Sequence, residues 1–338
     1  MDVLKKYIVL SILFVLTSSV NAQDVHLSQF YLNDIHLNPA FTANFDGSWR
    51  FTGNYRTQWG QINNNPLQTI FGGVEKKFST RRNDIGLGLL LVRDQFDAFQ
   101  TNLNKVFLSG SYGLKFKNDQ KIMIGIQSGI FHRSVDPSNN LFGDQWSLLN
   151  GDFTQATVEA TNQNDEIDVD LNIGLAWTKR FKKFQPTLGI AGHHVNTPED
   201  TYFTQGNIQN LAVRYAATGE FIFFLKNFQI EPRAALMFTT RTNDLLYGAN
   251  FRYILPNTSK PISVYAGIFN RGNLTEDNDA LIPKVGARID RWELGASFDY
   301  NTSTLSEFFN QKTALEFAVR YTIPEKESNY HSFPCEIY

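Results

Sequence analysis

The sequence predicts an all-β fold: an antiparallel transmembrane outer-membrane β-barrel of about fourteen strands, with short periplasmic turns and long outer loops. Three observations carry this. Apolar and polar residues alternate with a period of two in segment after segment. The connections between those segments are short and long in turn. The chain opens with an export signal, yet no later run of eighteen apolar residues could form a transmembrane helix.

Residues 1–22 read as a signal peptide. Lys5 and Lys6 form its basic start, Tyr7 to Leu16 its short apolar stretch, and Val20-Asn21-Ala22 a small-residue cleavage site. Cleavage near Ala22 starts the mature chain at Gln23, and no Cys follows to make it a lipoprotein. Residues 23–47 do not alternate cleanly. Leu27, Phe30, Tyr31, Leu32, Ile35, Leu37 and Phe41 make this segment too apolar for a free periplasmic tail. It is expected to plug the periplasmic mouth, with Phe30, Tyr31 and Phe41 buried and Asn38-Pro39 making a turn. An arm that docks on a partner is the alternative.

The barrel is expected over residues 48–321. Its strands fall near 48–58, 69–78, 84–93, 103–116, 121–133, 168–181, 184–193, 211–225, 228–240, 244–254, 262–270, 281–290, 292–301 and 313–321. The thirteenth is the clearest. Trp292, Leu294, Ala296, Phe298 and Tyr300 form one face, and Glu293, Gly295, Ser297, Asp299 and Asn301 the other. Connections 79–83, 117–120, 182–183, 226–227, 255–261 and the reversal at Asp290 and Arg291 are short. Connections 59–68, 134–167, 194–210, 271–280 and 302–312 are long, with 240–243 as the exception. Residues 322–338 are left as a periplasmic tail.

Composition agrees. Aromatic residues are 14% of the chain, with 29 Phe and 13 Tyr, which suits a lipid-facing surface with interfacial girdles. Trp49, Trp59, Trp177, Phe181, Tyr253, Trp292, Tyr300 and Tyr321 fall near strand ends, where girdles sit. A soluble β-sandwich also alternates, but its strands are shorter and its apolar faces meet in a core. A mean hydropathy of -0.28 fits a barrel, since half of each strand and all loops are polar. The formal charge of -2 supports no nucleic-acid partner. One cysteine, Cys335, cannot form an internal disulfide.

Several stretches are similar to a known family. The start reads Ser28-Gln29-Phe30-Tyr31, then Leu37-Asn38-Pro39-Ala40-Phe41, then Asn54-Tyr55-Arg56-Thr57-Gln58-Trp59. Near the end come Ser297-Phe298-Asp299-Tyr300-Asn301-Thr302-Ser303-Thr304-Leu305 and Ala314-Leu315-Glu316-Phe317-Ala318-Val319-Arg320-Tyr321. In this order they resemble the PorP/SprF family of Bacteroidetes outer-membrane proteins, from about Gln23 to the C-terminus. The tail, with Pro334-Cys335, departs from the family's Cys-Pro-containing ending. The resemblance implies a component of, or accessory to, the type IX secretion system. Some members serve gliding motility and help a large surface adhesin. Others associate with periplasmic lipoprotein and peptidoglycan-binding subunits, and others accompany individual secreted cargoes.

Side-chain constellations point to binding rather than chemistry. Alternation turns Glu231, Arg233, Arg252, Arg288, Glu293, Asp299, Glu316 and Arg320 into the lumen, together with Glu220, Lys284 and Asp290. Both signs are present, so they are expected to pair with one another or with a plug, against a merely hydrated lumen; a single-sign ring would mark an ion-selective pore. The longest loop carries Phe142, Trp146, Leu149 and Phe153 among polar residues, as a lid or a contact for an exported partner, or as simple packing over the mouth. Asp168, Asp170 and Asn172 fail the EF-hand spacing and are expected to face the lumen at the outer rim. His193 and His194 are adjacent, so on a strand their rings point to opposite faces and share no metal. No catalytic residue, metal site or cofactor is predicted. The expected function is an outer-membrane barrel of, or accessory to, type IX secretion. It would bind a secreted cargo or surface adhesin, or machinery subunits beneath, within outer-membrane lipid. A passive channel for small or hydrophobic substrates is the alternative, and a lipid-acting barrel enzyme a third.

Overall fold

The computed structural model describes residues 27–325, apart from 60–65, 97–99, 137–140, 148–150, 158–163, 201–208, 241, 275–277 and 303–312. Residues 1–22, expected as a signal peptide, most of the expected tail and Cys335 therefore lie outside the described residues. Fourteen antiparallel strands close into one barrel. In chain order they are β1 Trp49–Gln58, β2 Leu67–Ser79, β3 Asn83–Phe96, β4 Thr101–Phe116, β5 Gln120–Val135, β6 Asn164–Lys179 and β7 Phe184–His193. The second half continues with β8 Arg214–Leu225, β9 Phe228–Phe238, β10 Asn243–Ile254, β11 Ile262–Gly272, β12 Asn278–Ile289, β13 Trp292–Asn301 and β14 Thr313–Ile323. Each strand pairs with its chain neighbours, and β1 pairs with β14 from Trp49 opposite Ile323 to Gln58 opposite Ala314, which leaves no free edge.

The alternation is realised as a two-sided wall. On β13, Trp292, Leu294, Phe298 and Tyr300 are exposed on the outer surface, while Gly295, Ser297 and Asp299 are buried inside. On β5, Ile122, Ile124, Ile126 and Ile130 face out, and Met123, Gln127 and Phe131 face in. In a bilayer the exposed apolar side chains meet lipid, which is the polarity a membrane demands of a barrel wall. Aromatic rings border this band. At the end of the short turns, Trp292 and Tyr321 lie 4.6 Å apart, Phe228 and Tyr253 4.8 Å, and Lys76 sits 4.8 Å above Trp49. At the other end, Tyr215 stacks on Phe238 at 5.4 Å and Trp59 meets Phe96 edge-on at 6.0 Å.

All fourteen expected strands are present, but several run further outward. β3 reaches Phe96, β4 begins at Thr101 and β6 at Asn164. The connection at 273–277 is therefore short, not long, and those at 97–100 and, as the expected exception, at 239–242 are short too. Polar residues can continue an antiparallel ladder above the membrane, because backbone pairing needs no apolar face; Ser134 opposite Asp165 and Arg133 opposite Glu166 do so here. At the other end β14 continues to Ile323, past the expected limit at residue 321. The β12–β13 ladder breaks where Pro283, which has no N–H to donate, faces outward.

Candidate functional site

The segment before β1 lies inside the barrel. It is irregular: a 3-10 turn at Phe30–Leu32, a four-residue helix at Asp34–Leu37 and a second 3-10 turn at Pro39–Phe41. Leu27, Phe30, Tyr31, Leu32, Ile35, Leu37, Ala40 and Phe41 are all buried. Asn38 starts the second turn, its Oδ1 accepting from Ala40 N–H at 2.8 Å while Pro39 supplies the fixed first φ. The Asn38 amide then donates across to the wall, to the carbonyls of Leu175 at 3.2 Å and Ile190 at 3.1 Å.

The wall is shaped to this segment. A Cβ at Gly125 would run into the Pro39 backbone, and one at Gly174 into the Asn38 side chain. At Gly88 it would meet Ile35 Cδ1 at 2.6 Å. Glycine here is a matter of close approach: only a wall without side chains at these points lets the segment's backbone lie flat against it.

Charged groups fasten the segment at two levels. At the outer level Ser28 is fully buried. Its hydroxyl donates to Asp299 at 2.8 Å and accepts from Arg56 at 2.6 Å and Arg271 at 2.7 Å. Glu316 accepts the backbone N–H groups of Ser28 at 2.7 Å and Gln29 at 2.9 Å, and pairs with Arg56 at 3.2 Å. Lys284 donates to the Ser28 carbonyl and lies 3.5 Å over the Phe269 ring. At the inner level Arg50 grips Glu75 through Nε at 2.6 Å and Nη2 at 2.9 Å and reaches Asp34 at 3.3 Å, while Glu75 accepts from Ala43 N–H at 2.8 Å. Arg50 and Arg56 are six residues apart on β1, about 20 Å of strand, so the two clamps span much of the barrel's height.

The lumen charges read from the sequence divide accordingly. Glu231 is shared by Arg233 at 2.9 Å and Arg252 at 2.7 Å, and Arg252 also holds Glu293 at 2.8 Å. Arg233 lies 4.3 Å over the Tyr31 ring, and Arg320 donates to the Tyr31 carbonyl at 2.7 Å. Burial pushes the Tyr31 phenol up from its ordinary pKa, against the opposing Arg233 charge, so it stays neutral. Asp299 and Glu316 belong to the Ser28 clamp. Arg288 is set apart: it stands opposite Glu293 in the ladder but is exposed near the short-turn mouth, and Asp290 lies in the turn after β12, with a left-handed φ of 56° and Lys260 at 3.4 Å, not in the lumen. Arg50, Arg56, Glu75 and Arg271 complete the clamps from outside the sequence-predicted set. The signal for the first two is the same alternation, since Arg50, Thr52, Asn54 and Arg56 interleave with Phe51, Gly53 and Tyr55. Ser28 has no such alternation around it and stands out only as the start of the Ser28-Gln29-Phe30-Tyr31 stretch of the family resemblance.

The two histidines correct an expectation. His194 has a left-handed φ of 57°, which ends the strand's alternation, so both rings turn inward, 6.4 Å apart and buried. His193 Nε2 meets the Leu37 carbonyl at 3.1 Å and His194 Nδ1 meets Asp170 at 2.9 Å. Asp170 and Asn172 face inward at the outer end of β6, and the Asn172 amide oxygen accepts from His194 N–H at 3.0 Å. Among the described residues no group of three or more His, Cys, Asp or Glu side chains is placed to hold a metal.

Both mouths offer surface. In the long outer loop, Trp146–Ser147 pairs with Asp152–Phe153 as a small hairpin, and the Trp146 and Phe153 rings meet edge-on at 4.9 Å. Each ring is 42% exposed. Phe142 is half-buried, its N–H donating to Gln145, and Leu149 lies outside the described residues. At the short-turn mouth, beneath Phe30, Tyr31 and Phe41, a half-open vestibule of about 790 Å³ is lined by charged residues of β2 to β5 and of β8, β9 and β14.

Comparison with known proteins agrees with this architecture. No curated protein matches the chain. Among solved structures, the Pseudomonas putida toluene transporter TodX aligns with a TM-score of 0.52 at 10% identity, over 88% of this chain and 94% of that one. A Pseudomonas aeruginosa FadL homologue aligns at 0.51 and 14%, over 84% and 92%. A CymD monoaromatic hydrocarbon channel aligns at 0.51 and 10%, over 90% and 95%. At such identities the likeness is one of fold, that of outer-membrane barrels. The family described as type IX secretion system membrane protein PorP/SprF matches residues 19–321, and the chain belongs to that family.

Proposed function

We propose that this barrel works as a closed anchor in the outer membrane, holding a secreted surface protein of the type IX pathway on its outer loops. The observation that carries the reading is the filled lumen. Residues 27–46 are wedged between two buried ion clamps against a wall whose glycines leave room for them. A lumen of that kind is not a path for solutes, which moves the working surface to the mouths. On the outer side, the exposed Trp146 and Phe153 pair on a short hairpin is the type of rigid aromatic patch that anchors protein partners. No catalytic constellation is needed for such a role.

Surface proteomics of a deletion strain tests it. The expected result is loss of one or a few exported proteins from the surface, restored by the wild-type gene and not by a Trp146→Ala, Phe153→Ala version that still assembles in the outer membrane. An unchanged surface with impaired uptake of small apolar solutes would instead support a passive channel and refute the anchor.

A further inference from the structure

The two mouths carry opposite charge. The six short turns hold nine Lys and Arg side chains against Asp119 and Asp290, and every turn has at least one cation, all nine exposed. The seven outer connections hold ten Asp and Glu against Arg241 and Lys312. On a chain of formal charge -2 this is a strong axial asymmetry, positive on the periplasmic side.

The positive end does not stop at the rim. It continues up the vestibule wall built by β2 to β5 and their turns, where the four cations Lys77, Arg81, Lys115 and Lys121 line the space with two carboxylates, Asp84 and Asp119. Lys115 meets Asp84 at 2.6 Å and also donates to Ser79 Oγ at 2.7 Å; Lys121 meets the other Asp84 oxygen at 3.5 Å. Lys77 is directed to the Phe45 carbonyl at 2.7 Å and to Glu325 at 3.0 Å. On the facing wall Arg233 is paired with Glu220 at 2.8 Å and Arg320 reaches Asp34 at 3.6 Å. One side of the vestibule thus has more cations than carboxylates, inside a cleft whose low-dielectric walls focus the field.

We propose that this vestibule receives an acidic polypeptide segment of a periplasmic partner, its carboxylates engaging Lys115, Lys121 and Arg81 while the basic turns steer it in. The volume lies in the range of peptide- and ligand-sized clefts. A lipid headgroup is disfavoured by position. Inner-leaflet phosphates approach from outside the wall, where Lys76 and Lys179 stack on Trp49 at 4.8 Å and Phe181 at 4.7 Å. Lys77, Lys115 and Lys121 are on the other side of the sheet, reachable only from the aqueous mouth. The proposal concerns the periplasmic mouth alone and stands apart from what the outer loops hold.

The test uses the full chain in phosphatidylcholine nanodiscs and a fluorescein-labelled peptide of alternating Glu and Ser, read by anisotropy. Saturable binding that weakens as salt rises is expected. Lys115→Gln with Lys121→Gln should weaken it about tenfold, and Lys182→Gln with Lys183→Gln, on a turn outside the vestibule, only about twofold. Heat-modifiable mobility checks that each variant is a folded barrel. As a measurement independent of lysine changes, bimane on Gln120→Cys in a Cys335→Ser background, at a position that lines the vestibule, should be quenched by a nitroxide-labelled form of the peptide. Absence of saturable binding overturns the proposal. So does binding lost equally in both lysine pairs, or lost with Lys182 and Lys183 alone, which would place the anion at the rim, where lipid headgroups sit.

Discussion

Replacing Glu316 by Gln should loosen the plug without opening the barrel. Glu316 is fully buried and accepts two consecutive backbone N–H groups, from Ser28 at 2.7 Å and Gln29 at 2.9 Å, as well as Arg56 at 3.2 Å. A glutamine keeps one oxygen and turns an NH₂ toward the remaining donors, so at least one backbone N–H loses its acceptor. Hydrogen bonds to a charged group contribute about 1.5–3 kcal/mol each, and breaking one side of a buried pair costs about 3–5 kcal/mol. Arg56 keeps Asp299 at 2.7 Å, which puts the cost at the lower end, about 3 kcal/mol. At 1.4 kcal/mol per decade that is about a hundredfold in the plug's local opening equilibrium. Hydrogen exchange followed by mass spectrometry reads this directly, because the Ser28 and Gln29 amides exchange through that opening. Their exchange should speed up about a hundredfold while the strands stay protected. Unchanged exchange at residues 28–29, or a rise spread over the strands, would refute the clamp as described.

Three further outcomes follow from the same geometry. Gly125→Ala places a methyl group against the Pro39 backbone and should lower the barrel's thermal midpoint, at a cost of about 1–3 kcal/mol, whereas Gly110→Ala, with open space around its Cβ position, should not. Arg50→Met leaves Glu75 buried with the Ala43 N–H but without its guanidinium and should cost about 3–5 kcal/mol in the same melt. Ile126→Arg puts a charge on the lipid face and should cost about 2–4 kcal/mol in refolding from urea into vesicles.

The wall of this protein was legible because lipid and lumen impose opposite polarities on successive residues. Trp292 to Asn301 shows this without any tertiary information, and the inward set from Glu231 to Arg320 comes from parity alone. Strand ends were less legible. Polar pairs such as Arg133 opposite Glu166 extend the ladder where the apolar half of the pattern has already stopped. The plug was legible as a problem, since Phe30, Tyr31 and Ile35 have to be buried, but its attachment was not. Ser28 meets Asp299 across 271 residues and Glu316 across 288, and no local period encodes such a pairing. The histidines failed for a different reason: parity assumes extended backbone, and the left-handed turn at His194 removes that assumption.

Planar-bilayer conductance of the full barrel beside a version lacking residues 27–44 tests the closed lumen most directly. Fourteen strands about 4.8 Å apart, tilted by about 40°, enclose a backbone radius of about 14 Å, so an emptied lumen would conduct readily. The wild-type barrel should be silent, and the shortened one should show stable open steps. Steps of equal size from both would contradict it.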